Sequence, residues 1–277
     1  MKTRDDPAFG RAQAGTDMTG QIDITAPHSA RVWDYWLGGK NNYEVDRQAG
    51  DKVLAAFPGI AGPVRQLRCF TGRVVRYLAA EAGIRQFLDI GTGFPFRDPV
   101  HEIALAAAPG CRIAYADNDA LVLSHARALL TGPPGTVTHV AATLHDPAAL
   151  LAAARDWLDF TQPAAILLMS TLGHVGNPGQ DDDHAARAIT TCLKDALAPG
   201  SYLAIGDLAS HPRLSIAMDG YNTTRAAPYR LRTPGQLARF FEGLELTSPG
   251  PEPATRRRPA PSPLPELPAW GALGRKR

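Results

Sequence analysis

Phe87-Leu88-Asp89-Ile90-Gly91-Thr92-Gly93-Phe94-Pro95 is an apolar run broken by two closely spaced glycines. Residues 85–90 are too few for a helix, rich in large apolar side chains and stopped by glycine, so they predict a short buried strand with Asp89 near its carboxyl end. Gly91 and Gly93 allow a sharp turn and a close approach to whatever occupies it, where a Cβ would intrude. Asp98-Pro99 reads as an N-cap aspartate with a first-turn proline, opening a helix over 100–108. The order is strand, glycine turn, helix.

Two nucleotide-binding designs share that order. A dinucleotide enzyme wants G-x-G-x-x-G, with a pyrophosphate over the helix N-terminus. Here Phe96 occupies the third-glycine position, which ranks a nicotinamide-dependent oxidoreductase low. The next strand is expected over 111–117, ending at Asp117, with Asp119 capping a helix over 121–130. An acidic side chain about 20 residues beyond a glycine turn, at the tip of the second strand, is positioned to accept both hydroxyls of a ribose. Asp117 is the candidate for that role.

Asp89-x-Gly91-x-Gly93 resembles motif I of the class I S-adenosylmethionine-dependent methyltransferases. The resemblance implies that the glycines make room for the methionine moiety of the cofactor and that Asp89 receives its ammonium, directly or through water. A longer stretch, Pro27-His28-Ser29-Ala30-Arg31-Val32-Trp33-Asp34-Tyr35-Trp36-Leu37-Gly38-Gly39-Lys40-Asn41-Asn42 followed by Asp46-Arg47, is similar to the N-terminal signature of one methyltransferase-like family formerly listed as a domain of unknown function. Tyr115-Ala116-Asp117-Asn118-Asp119 and Leu197-Ala198-Pro199-Gly200-Ser201-Tyr202-Leu203 agree with it, so the likeness extends over nearly the whole chain from Ile22. It implies an α/β fold of the class I methyltransferase, Rossmann-like type: a mostly parallel seven-stranded sheet with helices on both faces, plus an N-terminal helical lid. Asn118 and Ser170 join Asp89, Gly91, Gly93 and Asp117 as expected cofactor contacts. At the position matched by Thr143 relatives commonly carry an aspartate that accepts from the adenine amino group, and His145 lies where arginine is usual. Thr143 still offers an oxygen acceptor, a neutral and therefore weaker one.

The chain has 277 residues, 44% of them hydrophobic, enough for one large α/β domain with appendages. No stretch reaches the uninterrupted apolar length of a membrane span, and no apolar signal core follows Met1-Lys2-Thr3-Arg4-Asp5-Asp6, so a cytoplasmic protein is expected. Cys69, Cys111 and Cys192 lie too far apart for a disulfide framework or a metal spacing. A net charge of +2 gives no electrostatic support to general nucleic-acid binding.

Residues 1–20 lack periodicity and read as a flexible tail, 21–82 as a helical lid or cap, and 83–277 as the cofactor-binding domain. Ser29 is expected to cap a helix carrying Val32, Trp33, Tyr35 and Trp36, ended by Gly38-Gly39. Its polar residues among aromatics suit a cover over a cleft, with Arg31 a candidate for the cofactor carboxylate and Tyr35 for the acceptor. Helical periodicity over 45–54 and 64–80 predicts helices packed across the carboxyl edge of the sheet, with Arg65, Arg68 and Arg73 on a solvated face. Strands follow over 136–141, 164–169, 200–206 and 244–247, with 269–275 as the last, antiparallel strand and the proline-rich 249–268 as an exposed connection. Asp146 and Thr233 read as helix caps, and the carboxylates 181–183 as serving a helix dipole rather than a metal. The fourth strand delivers Ser170 and His174 to the place where class I methyltransferases meet their acceptor, which makes His174 the candidate general base. The functional expectation is methyl transfer from S-adenosylmethionine to a small-molecule acceptor, the alternative a non-catalytic sensor of that cofactor or its demethylated product.

Overall fold

The computed structural model describes residues 23–95, 98–178, 183–247, 252–253 and 267–277. Five parallel strands form the centre: β1 (Gln86–Ile90), β2 (Arg112–Asp117), β3 (Val137–Ala141), β4 (Ala165–Met169) and β5 (Tyr202–Leu208). β8 (Ala269–Arg275) runs antiparallel along β5. Two short pieces, β6 (Glu245–Leu246) and β7 (Glu252–Pro253), pair with the other side of β8 at opposite ends. They occupy one strand position between them, so the sheet has seven positions in the order β3-β2-β1-β4-β5-β8-β6. The rest of the proline-rich connection lies outside the described residues.

Alternation along the strands explains the two layers. Phe87, Ile113, Tyr115, Ala165, Leu167 and Ala204 point into one core, while their neighbours Leu88, Ala114, Ala116, Ile166, Leu168 and Leu203 point into the other. On the first face lie α3 (Ala61–Ala80), α4 (Val100–Ala107) and α8 (Pro212–Asn222). The second face carries α6 (Pro147–Ala154) and α7 (His184–Ala196). Both faces being covered is why the central strands read as unbroken apolar runs. α5 (Ala120–Leu129) follows β2, and α9 (Pro234–Ala238) precedes the edge.

Caps were legible where an aspartate or threonine could reach back to the first turn. Asp119, Asp146 and Thr233 accept from the backbone N–H groups of Val122, Ala149 and Gln236. Two caps fall elsewhere than expected. α4 begins after Pro99, whose ring fixes the extended approach, and Asp98 instead takes a left-handed φ of 56°. α1 (Ser29–Trp36) starts one residue earlier than a serine cap requires, with His28 at the N-cap position. α2 (Glu44–Ala56) packs on α1 and α8. α3 does not simply cross the carboxyl edge: it lies along β4, β5 and β8 and reaches α4.

Strand order reverses between β1, which continues to β2 and β3, and β4, which continues to β5. In an open parallel sheet the loops leaving the carboxyl ends diverge at such a point and leave a crevice. The lid helix α1 closes it from above.

Candidate cofactor and acceptor site

The crevice is a cavity of about 720 Å³. Asp89, Gly91, Gly93, Asp117, Asn118, Thr143, Ser170 and His174 all line it, together with Trp33 and Leu37 of α1. Eight of the ten residues picked from the sequence thus meet in one place. Arg31 and Tyr35 do not.

Asp89 and Asp117 stand on neighbouring parallel strands, Asp89 in register with Tyr115, two residues before Asp117. Asp89 is 8% exposed and its carboxylate makes no hydrogen bond among the described residues. Burial pushes its pKa up to about 6, Arg68 pulls it back, and the Asp117 charge raises it further. A buried carboxylate held short of full ionisation is poised for a cation. Asp117 is fixed differently: Oδ1 accepts from Asp119 N at 3.0 Å and Oδ2 from Gly93 N at 3.2 Å. Burial still raises its pKa, against those two bonds. Each oxygen keeps a lone pair for a ligand hydroxyl.

The two glycines do different work. Both have positive φ, 74° and 62°. A Cβ at Gly91 would stand 2.6 Å from Thr171 Oγ1, so Gly91 is needed for the packing of two loops against each other. A Cβ at Gly93 would meet nothing closer than Arg68 Nη2 at 3.9 Å, so this is the glycine that leaves open space in the cavity. Thr171 Oγ1 in turn donates to Ile90 O at 2.9 Å, locking the tips of β1 and β4 together. Ser170 pays the geometric cost of that corner with a left-handed φ of 62°, a strain of about 1 kcal/mol in a non-glycine residue.

His174 sits in a 3₁₀ turn (Leu172–His174) after β4. Its Nδ1 lies 3.0 Å from Pro228 O. A carbonyl can only accept, so Nδ1 carries the proton and Nε2 is left as an acceptor. Burial lowers the His174 pKa to about 4, more than the Pro228 bond restores, so the ring is neutral at neutral pH. The turn is clamped from behind by residues that sequence reasoning missed. Arg232 donates to Leu172 O and Val175 O at 2.6 and 2.7 Å and pairs with Asp183 at 2.7 Å. The Tyr229 ring meets His174 edge-on, 4.9 Å between centroids, and its hydroxyl donates to Asp207. Asp207 is 1% exposed, and burial lifts its pKa to about 6 against the Tyr229 bond. Asp183, expected to serve a helix dipole, therefore serves two arginines, Arg230 and Arg232. Tyr229 bonds Asp207 across 22 residues and Arg232 reaches Asp183 across 49, and no local pattern announces either.

Arg31 is 3% exposed and points away from the cavity. It pairs with Asp46 at 2.9 Å and donates to Asp23 O and Ala26 O. Asp46 is fully buried and also accepts from His28 N and Tyr43 N, both at 2.8 Å, so it joins the entry of α1 to the start of α2. Tyr35 donates to Asp51 at 2.7 Å on the outer side of the lid. The lid itself is tied to the sheet by His28 Nε2, 3.0 Å from Asp119 Oδ2.

The sequence placed Arg65, Arg68 and Arg73 of α3 on a solvated face. Arg65 and Arg68 are exposed and Arg73 is half-buried, and the face they share, with Arg76, borders the cavity. Solvent reaches Arg68 through the cavity, yet protein surrounds it, and that desolvation lowers its pKa while Asp89 raises it. Among the described residues no helix is long and apolar enough to cross a membrane, and no three His, Cys, Asp or Glu are grouped to hold a metal.

A seven-position sheet ordered β3-β2-β1-β4-β5-β8-β6, with an acid at the tips of β1 and β2, is the class I methyltransferase, Rossmann-like fold. The model of a family described as S-adenosyl methyltransferase matches residues 15–277, and the chain belongs to that family, whose cofactor is S-adenosylmethionine. A DUF574 family protein from Streptomyces avermitilis MA-4680 shares 37% identity and superimposes with a TM-score of 0.85 over 93% of this chain and 100% of its own. A protein from Thermobifida fusca YX shares 34% identity, with a TM-score of 0.84 over 92% of this chain and 97% of its own. An O-methyltransferase family protein from Burkholderia thailandensis, 16% identical with a TM-score of 0.51 over 83% of this chain and 62% of its own, shares the fold. No curated protein matches the chain.

Proposed function

We propose that this chain transfers the methyl group of S-adenosylmethionine to a small-molecule acceptor. One observation carries the reading: Asp89, buried and without a hydrogen bond among the described residues, opens onto a cavity that Gly93 leaves clear and Asp117 borders. These residues fit an aminoacyl nucleoside. Asp89 receives the ammonium, and Arg68 beside it takes the carboxylate, the role that the sequence had offered to Arg31. Asp117 accepts the ribose hydroxyls. Thr143 Oγ1, already accepting from His145 N at 3.2 Å, presents its remaining polarity to the adenine end with Asn118 alongside.

When bound, the cofactor supplies a methyl group already electrophilic on a positive sulfur, which leaves as a neutral thioether. The chain's own work is alignment and exclusion of water. Trp33 and Leu37 roof the cavity. Ser170 and the clamped 3₁₀ turn fix the side from which an acceptor lone pair must come. Where the acceptor is a hydroxyl, His174 Nε2 takes its proton, and Nδ1–H holds the ring through Pro228 O. With a pKa near 4 the imidazole is a weak base that acts late, as the acceptor oxygen becomes positive. Tyr35, bonded to Asp51 on the far side of α1, keeps no such role.

The test is incubation of the purified protein with methyl-labelled cofactor and a small-molecule cell extract. Label is expected in an acceptor, lost in Asp89→Ala, and reduced tenfold or more in His174→Ala with cofactor affinity kept. Tight cofactor binding with no label in any acceptor would replace the enzyme by the sensor.

A further inference from the structure

We infer that the acceptor carries an anionic group, a carboxylate or phosphate on an apolar body, and that Arg65 is the residue that selects it. The inference rests on the cofactor reading above and concerns the other end of the same cavity.

The position of α3 sets that end. A Cβ at Gly72 would touch Ile103 of α4 at 3.5 Å, whereas a Cβ at Gly206 on β5 would touch Leu67 at 3.4 Å and Met169 at 3.0 Å. The helix therefore runs from the tips of β4 and β5 at residue 67 to α4 at residue 72. Arg68 lies between, 3.9 Å from the open side of Gly93, over the methionine end of the cofactor. Arg65 is one turn earlier on the same stripe, on the side of Arg68 away from α4. Leu67 and Met169 both border Gly206, Ser170 follows Met169 in the chain, and Ser170, His174, Trp33, Leu37 and Val64 line the same cavity as Arg65.

The charged groups at this end differ in how far they are already engaged. Arg65 is exposed and makes no ion pair among the described residues. The carboxylate lining this end is Asp34, and its Oδ2 already accepts from Asn41 N at 2.8 Å and Asn42 Nδ2 at 2.9 Å. Asp89 and Asp117 are committed to the cofactor. His174 is neutral, so it adds no competing charge. An acceptor entering between Trp33 and His174 meets apolar surface on most sides and one guanidinium, whose fork matches a carboxylate or phosphate in two parallel bonds. Arg76, eleven residues along the helix and about 16 Å from Arg65, is too far to share that anion.

The experiment uses the full chain saturated with S-adenosylhomocysteine and measures binding of matched probes by calorimetry: 4-hydroxybenzoate against 4-hydroxybenzamide, and phenyl phosphate against phenol. At least one anion is expected to bind tenfold or more tightly than its neutral partner. Arg65→Gln should remove that preference while the neutral probe and S-adenosylhomocysteine change by less than twofold. Arg76→Gln should keep it. Equal binding of acid and neutral probe in every pair, or a preference that survives Arg65→Gln, overturns the inference and leaves the cofactor reading standing. Failure of the wild-type chain to bind S-adenosylhomocysteine brings down the cofactor reading itself.

Discussion

Asp89 and Asp117 end adjacent strands, are both desolvated, and differ in what the chain does about it. Asp117 has two backbone N–H donors; Asp89 has none and lies near Arg68 instead. The pKa of Asp89 near 6 gives the site a pH signature. An ammonium is held by the ionised carboxylate, so cofactor binding must first release the proton that Asp89 holds below pH 6. Affinity for S-adenosylhomocysteine is therefore expected to rise with pH, by about tenfold per unit below pH 6, and to level off above it. Calorimetry between pH 5 and 8 measures this, with proton release seen as a dependence on buffer ionisation heat. Asp89→Asn should bind weakly and without the slope, whereas a slope that persists in that variant would assign the titration to another group. Stability of the unliganded chain runs the other way. Asp89 and Asp207 keep protons in the fold that the unfolded chain has released above pH 3.8, so their contribution falls as pH rises through the window from about 4 to 6.

Among elements, the lid shows most clearly where sequence reading works and where it stops. That 28–43 forms a short aromatic helix followed by a glycine break was legible, because Gly38 adopts a φ of 80° where side chains are strained. The role of Arg31 was not, since an arginine on a partly apolar helix reads the same whether it faces a ligand or a buried carboxylate. Asp46, fifteen residues away, decides it. Arg31→Ala is expected to destabilise the chain by about 3 kcal/mol, because it strands a fully buried carboxylate that keeps only backbone donors. Thermal unfolding checks this, with affinity for S-adenosylhomocysteine in the folded fraction within a few-fold of normal. Arg68→Ala should do the reverse, weakening binding tenfold or more at nearly unchanged stability. If Arg31→Ala lost affinity and kept its melting temperature, the carboxylate would belong to Arg31 after all. The same ambiguity hid the α3 stripe. Amphipathic spacing separates core from non-core, and both a solvated face and a cavity wall are non-core.

At the scale of the whole molecule, the sheet tips and α1 together enclose one cavity. The central strands were readable because burial on both faces leaves unbroken apolar runs, and the capping aspartates because their partners are three residues away. The clamp on His174 was unreadable because Arg232, Tyr229 and Asp183 converge only after the chain has crossed the sheet. The two parts touch through His28 and Asp119, at the start of the helix that follows Asp117. A ligand bound between lid and sheet must therefore stabilise both, and at a hundredfold excess over its Kd it contributes about 2.7 kcal/mol to every opening that releases it. Lid segments that open locally, below the global free energy of unfolding, should show that gain in full. Hydrogen exchange with S-adenosylhomocysteine is expected to slow by about a hundredfold in residues 28–37 as well as at the strand tips 89–93 and 117–119. His28→Ala should lose the lid protection and retain that of the tips. Protection confined to the tips in the wild-type chain would mean that α1 is a fixed support and that the roof over the acceptor comes from elsewhere.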